Sequence, residues 1–112
     1  ALGATLNPIS IEKLKCSIIC GAANNQLEDE NRDSLLIANK AIIFAPDFLV
    51  NAGGLINVYS EIKKFSREEA LSQTRKIYNT TLDILRKSQE ENITSYAAAL
   101  KIANQRLLSN NK

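Results

Sequence analysis

Ser17-Ile18-Ile19-Cys20-Gly21-Ala22-Ala23-Asn24-Asn25-Gln26-Leu27 is the stretch that decides how this chain is read. A short apolar run closed by a glycine suits a buried parallel strand. The chain then turns through small residues and amides. Asn brings two donors and an acceptor on a short side chain, and Gly and Ala allow close approach to the backbone. The pattern occurs once more. Ala41-Ile42-Ile43-Phe44-Ala45 is a second apolar run, stopped by Pro46, and Asn51-Ala52-Gly53-Gly54-Leu55 is a second loop of the same kind. Two such loops at strand ends fit the rim of a ligand crevice in an α/β sheet. Gly and Asn are also the usual residues of plain strand-to-helix turns, so spacing alone leaves both readings open.

Working outward, Glu28-Asp29-Glu30 supplies acids for a helix N-terminus. Leu35, Leu36 and Ala38 predict the apolar side of a helix over 30–39. Upstream, Ala1 to Asn7 reads as irregular, with a turn at Asn7-Pro8. Ser10 reads as the N-cap of a short helix through Lys15, with Ile11 and Leu14 on one face. Downstream, Asp47–Val50 is either a strand extension or a turn, and a helix opens at Gly54 or Leu55 and runs to about Lys63. Ser66-Arg67-Glu68-Glu69 is a capping-box pattern. It opens a long helix to about Glu91, with Ala70, Thr74, Ile77, Tyr78, Leu82 and Leu85 as its apolar stripe. Asn92 can close it in the left-handed conformation. Thr94 or Ser95 caps a last helix through about Leu108, with Tyr96, Ala97, Leu100, Ala103 and Leu107 as its stripe. Ser109 to Lys112 has no reason to be ordered.

Strand, helix, strand and then helices is an α/β pattern. Parallel sheets need both faces covered and usually have about four to six strands. The expected architecture is therefore the second half of a doubly wound domain over residues 1–64, followed by C-terminal helices over 65–112. At 112 residues the chain makes one domain's worth of structure. A net charge of +2, 5% aromatic residues and no long basic run argue against a nucleic-acid partner. No apolar run approaches the roughly 20 residues of a membrane span, and Ala1-Leu2-Gly3-Ala4 lacks the charged start of a signal peptide. A soluble, cytoplasmic chain is expected.

The chain contains no histidine, which removes the usual triad base and any Cys/His metal set. Cys16 and Cys20, on a strand, would lie about 13 Å apart at roughly 3.3 Å per residue. That is beyond the reach of a disulfide, so two buried free thiols are expected. Neither Gly-x-Gly-x-x-Gly nor the Gly-x-x-x-x-Gly-Lys-Ser/Thr phosphate loop occurs.

Taken together, Ala1-Leu2-Gly3-Ala4, Gly21 to Leu27 and Ala45-Pro46-Asp47-Phe48-Leu49-Val50-Asn51-Ala52-Gly53-Gly54-Leu55-Ile56-Asn57-Val58 resemble the C-terminal part of the glutamate, leucine, phenylalanine and valine dehydrogenases. The likeness covers essentially the whole chain and leans toward the leucine-type enzymes. It implies reversible oxidative deamination of an L-amino acid to its 2-oxo acid, with hydride transfer to NAD. It also implies a Rossmann-type cofactor domain, of which this would be the second half, and a complete enzyme that is a homo-oligomer. The family's Gly-rich fingerprint, catalytic Lys and catalytic Asp fall in the part not represented, so no catalytic residue is expected in this chain, and the chain alone is expected to be inactive.

By the same resemblance, Ala1 and Leu2 pass the cofactor ribose, Ala23 and Asn24 line the cofactor on its nicotinamide side, and Asn25 reaches the substrate's polar end or the nicotinamide ribose. Asn51 sits near substrate and nicotinamide, and Gly54, Leu55 and Val58 wall the side-chain pocket. Leu55 stands where the family often has Val. Glutamate enzymes typically carry Ser at the position of Val58. A carboxylate buried against Leu55 and Val58 without a partner would cost several kcal/mol, so a branched-chain amino acid is the expected substrate. The competing expectation is a non-catalytic α/β half-domain that serves as an oligomerisation or binding module.

Overall fold

The protein is described as a computed structural model in which residues 3–110 are placed. Its order is α1 (Pro8–Glu12), β1 (Ile18–Ile19), α2 (Glu30–Asn39), β2 (Ile43–Phe44), α3 (Asp47–Val50), α4 (Ala52–Lys63), α5 (Arg67–Glu91) and α6 (Ser95–Asn110). The α/β alternation is as expected, but the chain is mostly helical and the strands are short. β1 and β2 pair in parallel, Ile18 opposite Ile43 and Ile19 opposite Phe44. A parallel bridge also joins Leu6 to Leu27.

Helix α1 starts three residues earlier than Ser10 would have placed it. Asn7 is the cap, accepting from the Ile9 and Ser10 amides, while the Asn7 N–H donates to Ser10 Oγ. Pro8 follows at the first helical position, where its missing N–H costs nothing. The expected turn at Asn7-Pro8 is thus a helix start. Helix α2 is capped by Asp29. Helix α4 opens at Ala52, ahead of both glycines. Helix α5 has the predicted box: Ser66 Oγ accepts from the Glu69 N–H, Glu69 accepts from the Ser66 N–H, and Asn92 closes the helix at φ 53°. Helix α6 continues to Asn110, so Ser109 and Asn110 belong to it and not to a tail.

Two apolar clusters hold the chain. Ile11, Leu27, Ile37, Ile42 and Phe44 form one, with Leu6, Leu14, Ile19 and Leu36 against it. Leu49, Ile84, Ala98 and Ala99 form the other, with Ile77, Ile93 and Ile102. These clusters correct the expected faces of α2 and α6 and adjust that of α5. In α2 the buried residues are Asp33, Ser34 and Ile37, and Leu35 is exposed. In α5 Ala70, Ile77, Leu82 and Leu85 are half-buried as expected, but the buried residue is Ile84, and Thr74 and Tyr78 are exposed. In α6 it is Ser95, Ala98, Ala99 and Ile102, and Leu100 and Leu107 are exposed. Small side chains let α6 lie close against α5, a preference that hydrophobic size does not reveal.

The strands are not buried on both sides. Phe44 is buried and Ile19 half-buried, but their neighbours Ile18 and Ile43, side by side across the pair, are 60% and 46% exposed. Ile19 and Phe44 pack with residues of α1 and α2, and α5 and α6 border a hollow beside Ile43, whereas the side of Ile18 and Ile43 stays largely open among the described residues. For the same reason Cys16 and Cys20, which flank β1, are free as expected but exposed, not buried. Among the described residues no helix is long and apolar enough to cross a membrane.

Candidate functional site

Because β1 and β2 run parallel, their C-terminal ends lie at one edge of the sheet. The loop 20–29 leaves β1 there, and α3 leaves β2 there. The first loop is held from within. Gln26 is buried, and its Nε2 donates to the Gly21 carbonyl at 2.8 Å. A Cβ on Gly21 would stand 3.0 Å from that nitrogen, so this glycine serves its own loop. Asn25 takes the left-handed region at φ 54°, which its short polar side chain tolerates. The Asn25 carbonyl accepts from the Ala4 N–H at 2.8 Å and the Gln26 carbonyl from the Leu6 N–H at 2.8 Å, fastening the loop to the N-terminal segment.

Beyond the loop lies a charged clasp. The Asp29 side chain accepts from the Arg32 N–H, and Asp33, with a side chain wholly out of solvent, accepts from the Asp29 N–H at 2.8 Å. Arg32 Nε donates to Asp33 at 2.9 Å and its Nη2 to Glu28 at 2.7 Å. The Arg32 hydrogen bond, more than burial opposes it, holds the Asp33 carboxyl below its ordinary range.

Asn51 sits between two helices. Its N–H donates to Asp47 O at 2.9 Å to close α3, and its side chain caps neither α3 nor α4. The side chain instead reaches back and donates Nδ2–H to Asn24 Oδ1. The two amide loops therefore meet, side chain to side chain, across 27 residues of sequence. Among the described residues, neither the Asn24 NH2 nor the Asn25 side chain has a protein partner, so these amides face outward with hydrogen-bonding capacity to spare. Gly53 and Gly54 follow in the first turn of α4, and a Cβ on either would meet nothing within 4 Å. Leu55 and Val58 continue on α4, 74% and 52% exposed. Leu55 also lines a hollow with Ile56, Tyr59, Phe65 and Gln73, at the foot of α4 and α5. Ala23 is half-buried in the first loop. Ala1 and Leu2 lie outside the described residues.

The profile of the glutamate/leucine/phenylalanine/valine dehydrogenases matches residues 1–112. The chain belongs to this family. It is 46% identical over 107 residues to an L-tryptophan dehydrogenase of Nostoc punctiforme, covering 96% of this chain and 30% of that protein. It is 41% identical over 107 residues to a leucine dehydrogenase of Thermoactinomyces intermedius, covering 96% of this chain and 29% of that protein. The crystal structure of L-tryptophan dehydrogenase from Nostoc punctiforme superposes with a TM-score of 0.94 at 44% identity, covering 99% of this chain and 33% of that one. The chain thus spans about a third of the length of the proteins it matches.

Some residues that shape the site were not singled out from the sequence. Gln26 carried a signal, an amide in a loop five residues after a glycine. Ser95 and Tyr96 were read only as a candidate cap and a stripe residue of the last helix, with no signal of their distant partners. Ser95 Oγ donates to Phe44 O at 2.6 Å, and Tyr96 Oη donates to Glu30 Oε2. Both contacts cross more than 50 residues of sequence. The Glu30 carboxylate, aided by burial, raises the Tyr96 hydroxyl above its usual value.

Proposed function

We propose that this chain is the C-terminal third of an NAD-dependent amino-acid dehydrogenase that deaminates branched-chain L-amino acids to 2-oxo acids. The observation that carries the reading is the Asn24–Asn51 amide pair at the C-terminal edge of two parallel strands, where ligands bind in open α/β sheets. Residues 1–64 would be the second half of a Rossmann-type domain, and the largely exposed side of Ile18 and Ile43 fits a sheet that continues under further helices. Residues 65–112 would be helices packing back toward the catalytic domain.

The chemistry of the site fits a nicotinamide and an amino acid. The unpartnered amides of Asn24 and Asn25 suit a carboxamide or ribose hydroxyls, with Ala23 beside them and Ala1 and Leu2 along the ribose. NAD supplies the hydride acceptor when bound. Asn51 would orient the substrate's polar end while still tied to Asn24. Glycines in a helix cost about 1 kcal/mol each relative to Ala, and nothing in the described structure requires Gly53 or Gly54, so open space for a ligand over that turn accounts for them. Leu55 and Val58 would present apolar carbon to the substrate side chain and no partner to a carboxylate. The complete protein would be a cytoplasmic homo-oligomer.

The test is NADH formation by the complete protein with a panel of L-amino acids. Leucine, valine and isoleucine should give the highest kcat/KM, and Asn51→Ala should lower it by about 10–100-fold, the worth of a hydrogen bond to a charged group. A preference for glutamate or tryptophan would overturn the specificity, and no amino-acid-dependent reduction of NAD would overturn the activity.

A further inference from the structure

The N-terminal turn of α6 touches the elements on either side of the Asn24–Asn51 pair. Ser95, buried, bonds the carbonyl of Phe44, the last residue of β2. Tyr96 bonds Glu30 at the first turn of α2, where the Asn24 loop ends. The Tyr96 ring also packs edge-on against Phe48 of α3, centroids 6.3 Å apart at 72°. Phe48 lies three residues before Asn51. One side chain thus bears on both loops from outside the site, by its hydroxyl on one and its ring on the other.

We propose that Tyr96, seated by Ser95, is a positioning residue that sets the separation of the Asn24 and Asn51 loops and so the geometry of substrate and cofactor between them. The inference rests on the proposed function for its kinetic consequence, but its structural part stands by itself. The amide pair is held directly by a single hydrogen bond on an open surface, and such bonds are individually weak. A fixed distance between the loops therefore needs support from behind, and Tyr96 contacts the helix that follows one loop and the helix that carries the other.

The test has two arms, both on the complete protein. In the first, hydrogen exchange is followed without ligands. Tyr96→Phe keeps the ring and loses the bond to Glu30. It should speed exchange of the Glu28 amide, which bonds Leu6 O, by about three- to tenfold, and Tyr96→Ala, which also removes the ring from Phe48, should add a like increase at the Leu49 to Asn51 amides, which bond Pro46 and Asp47. Amides in the middle of α5 should not change. In the second arm, kinetics with leucine should show kcat falling and the amino-acid KM rising, several-fold each, with Tm nearly unchanged. Glu30→Gln keeps an acceptor oxygen and should behave as wild type, whereas Glu30→Ala should behave as Tyr96→Phe. Unchanged exchange at Glu28 in Tyr96→Phe or at Leu49 to Asn51 in Tyr96→Ala, or uniformly faster exchange with a lowered Tm and unaltered kinetics in Tyr96→Phe, overturns the proposal. If the wild-type protein oxidises no amino acid, the proposed function fails, and the exchange arm still decides whether Tyr96 holds the loops.

Discussion

Replacing Asp33 with Ala should be among the most damaging polar changes in the chain. The carboxylate is fully out of solvent and has two kinds of partner. Its bond from the Asp29 N–H is a charged, partly buried hydrogen bond worth about 1.5–3 kcal/mol. Its pair with Arg32 is worth less, at most about 1 kcal/mol, because Arg32 is 46% exposed and water can take it back. The expected loss is about 2–4 kcal/mol at neutral pH. With a urea m-value of about 1.5 kcal/mol/M, that lowers the midpoint by roughly 1–3 M. Asp33→Asn keeps an acceptor for the Asp29 N–H and should lose only the Arg32 share, about 1 kcal/mol.

The effect is also pH-dependent with a definite sign. The folded-state pKa of Asp33 is lowered, chiefly by Arg32. Its stabilisation is therefore complete above the ordinary carboxylate range, and it fades as pH falls from that range through the lowered value. Urea unfolding at pH 7 and again near pH 2–3 should show the gap between wild type and Asp33→Ala narrowing in acid. A gap under about 0.5 kcal/mol at pH 7, or one that does not shrink in acid, would refute the reasoning.

Lys40 donates from Nζ to the carbonyls of Ile11, Glu12 and Leu14, at 2.7–3.0 Å, and so closes the end of α1. Lys40→Met should cost about 1–2 kcal/mol and speed amide exchange over 8–14 while leaving α5 unchanged. Ala98 is wholly buried where α6 meets α5, so Ala98→Leu should overpack the contact and cost about 1–3 kcal/mol in urea unfolding. Val58 is half in solvent. Val58→Ser should change unfolding free energy by no more than about 0.5 kcal/mol, yet reduce leucine kcat/KM in the complete enzyme by about 5–150-fold. A loss of stability without a kinetic change would place Val58 in packing and not in the pocket.

Features set by neighbours along the chain were legible before any folding was known. The Ser66–Glu69 box, the Asn92 terminator and the acidic start of α2 are bonds between residues a few positions apart, and they appear where the spacing puts them. The two amide loops and their order along the chain were equally legible, and they carried the family resemblance that the whole-chain match bears out. Which face each helix buries emerged from the packed structure. Ala98 and Ala99 pack while Leu100 and Leu107 do not, because burial depends on the surface opposite and small residues admit the closest one. It alone joined Asn51 to Asn24 and set Tyr96 against Glu30 and Phe48. Those contacts link residues tens of positions apart, and their formation depends on how strands and helices stack, which short-range spacing does not encode.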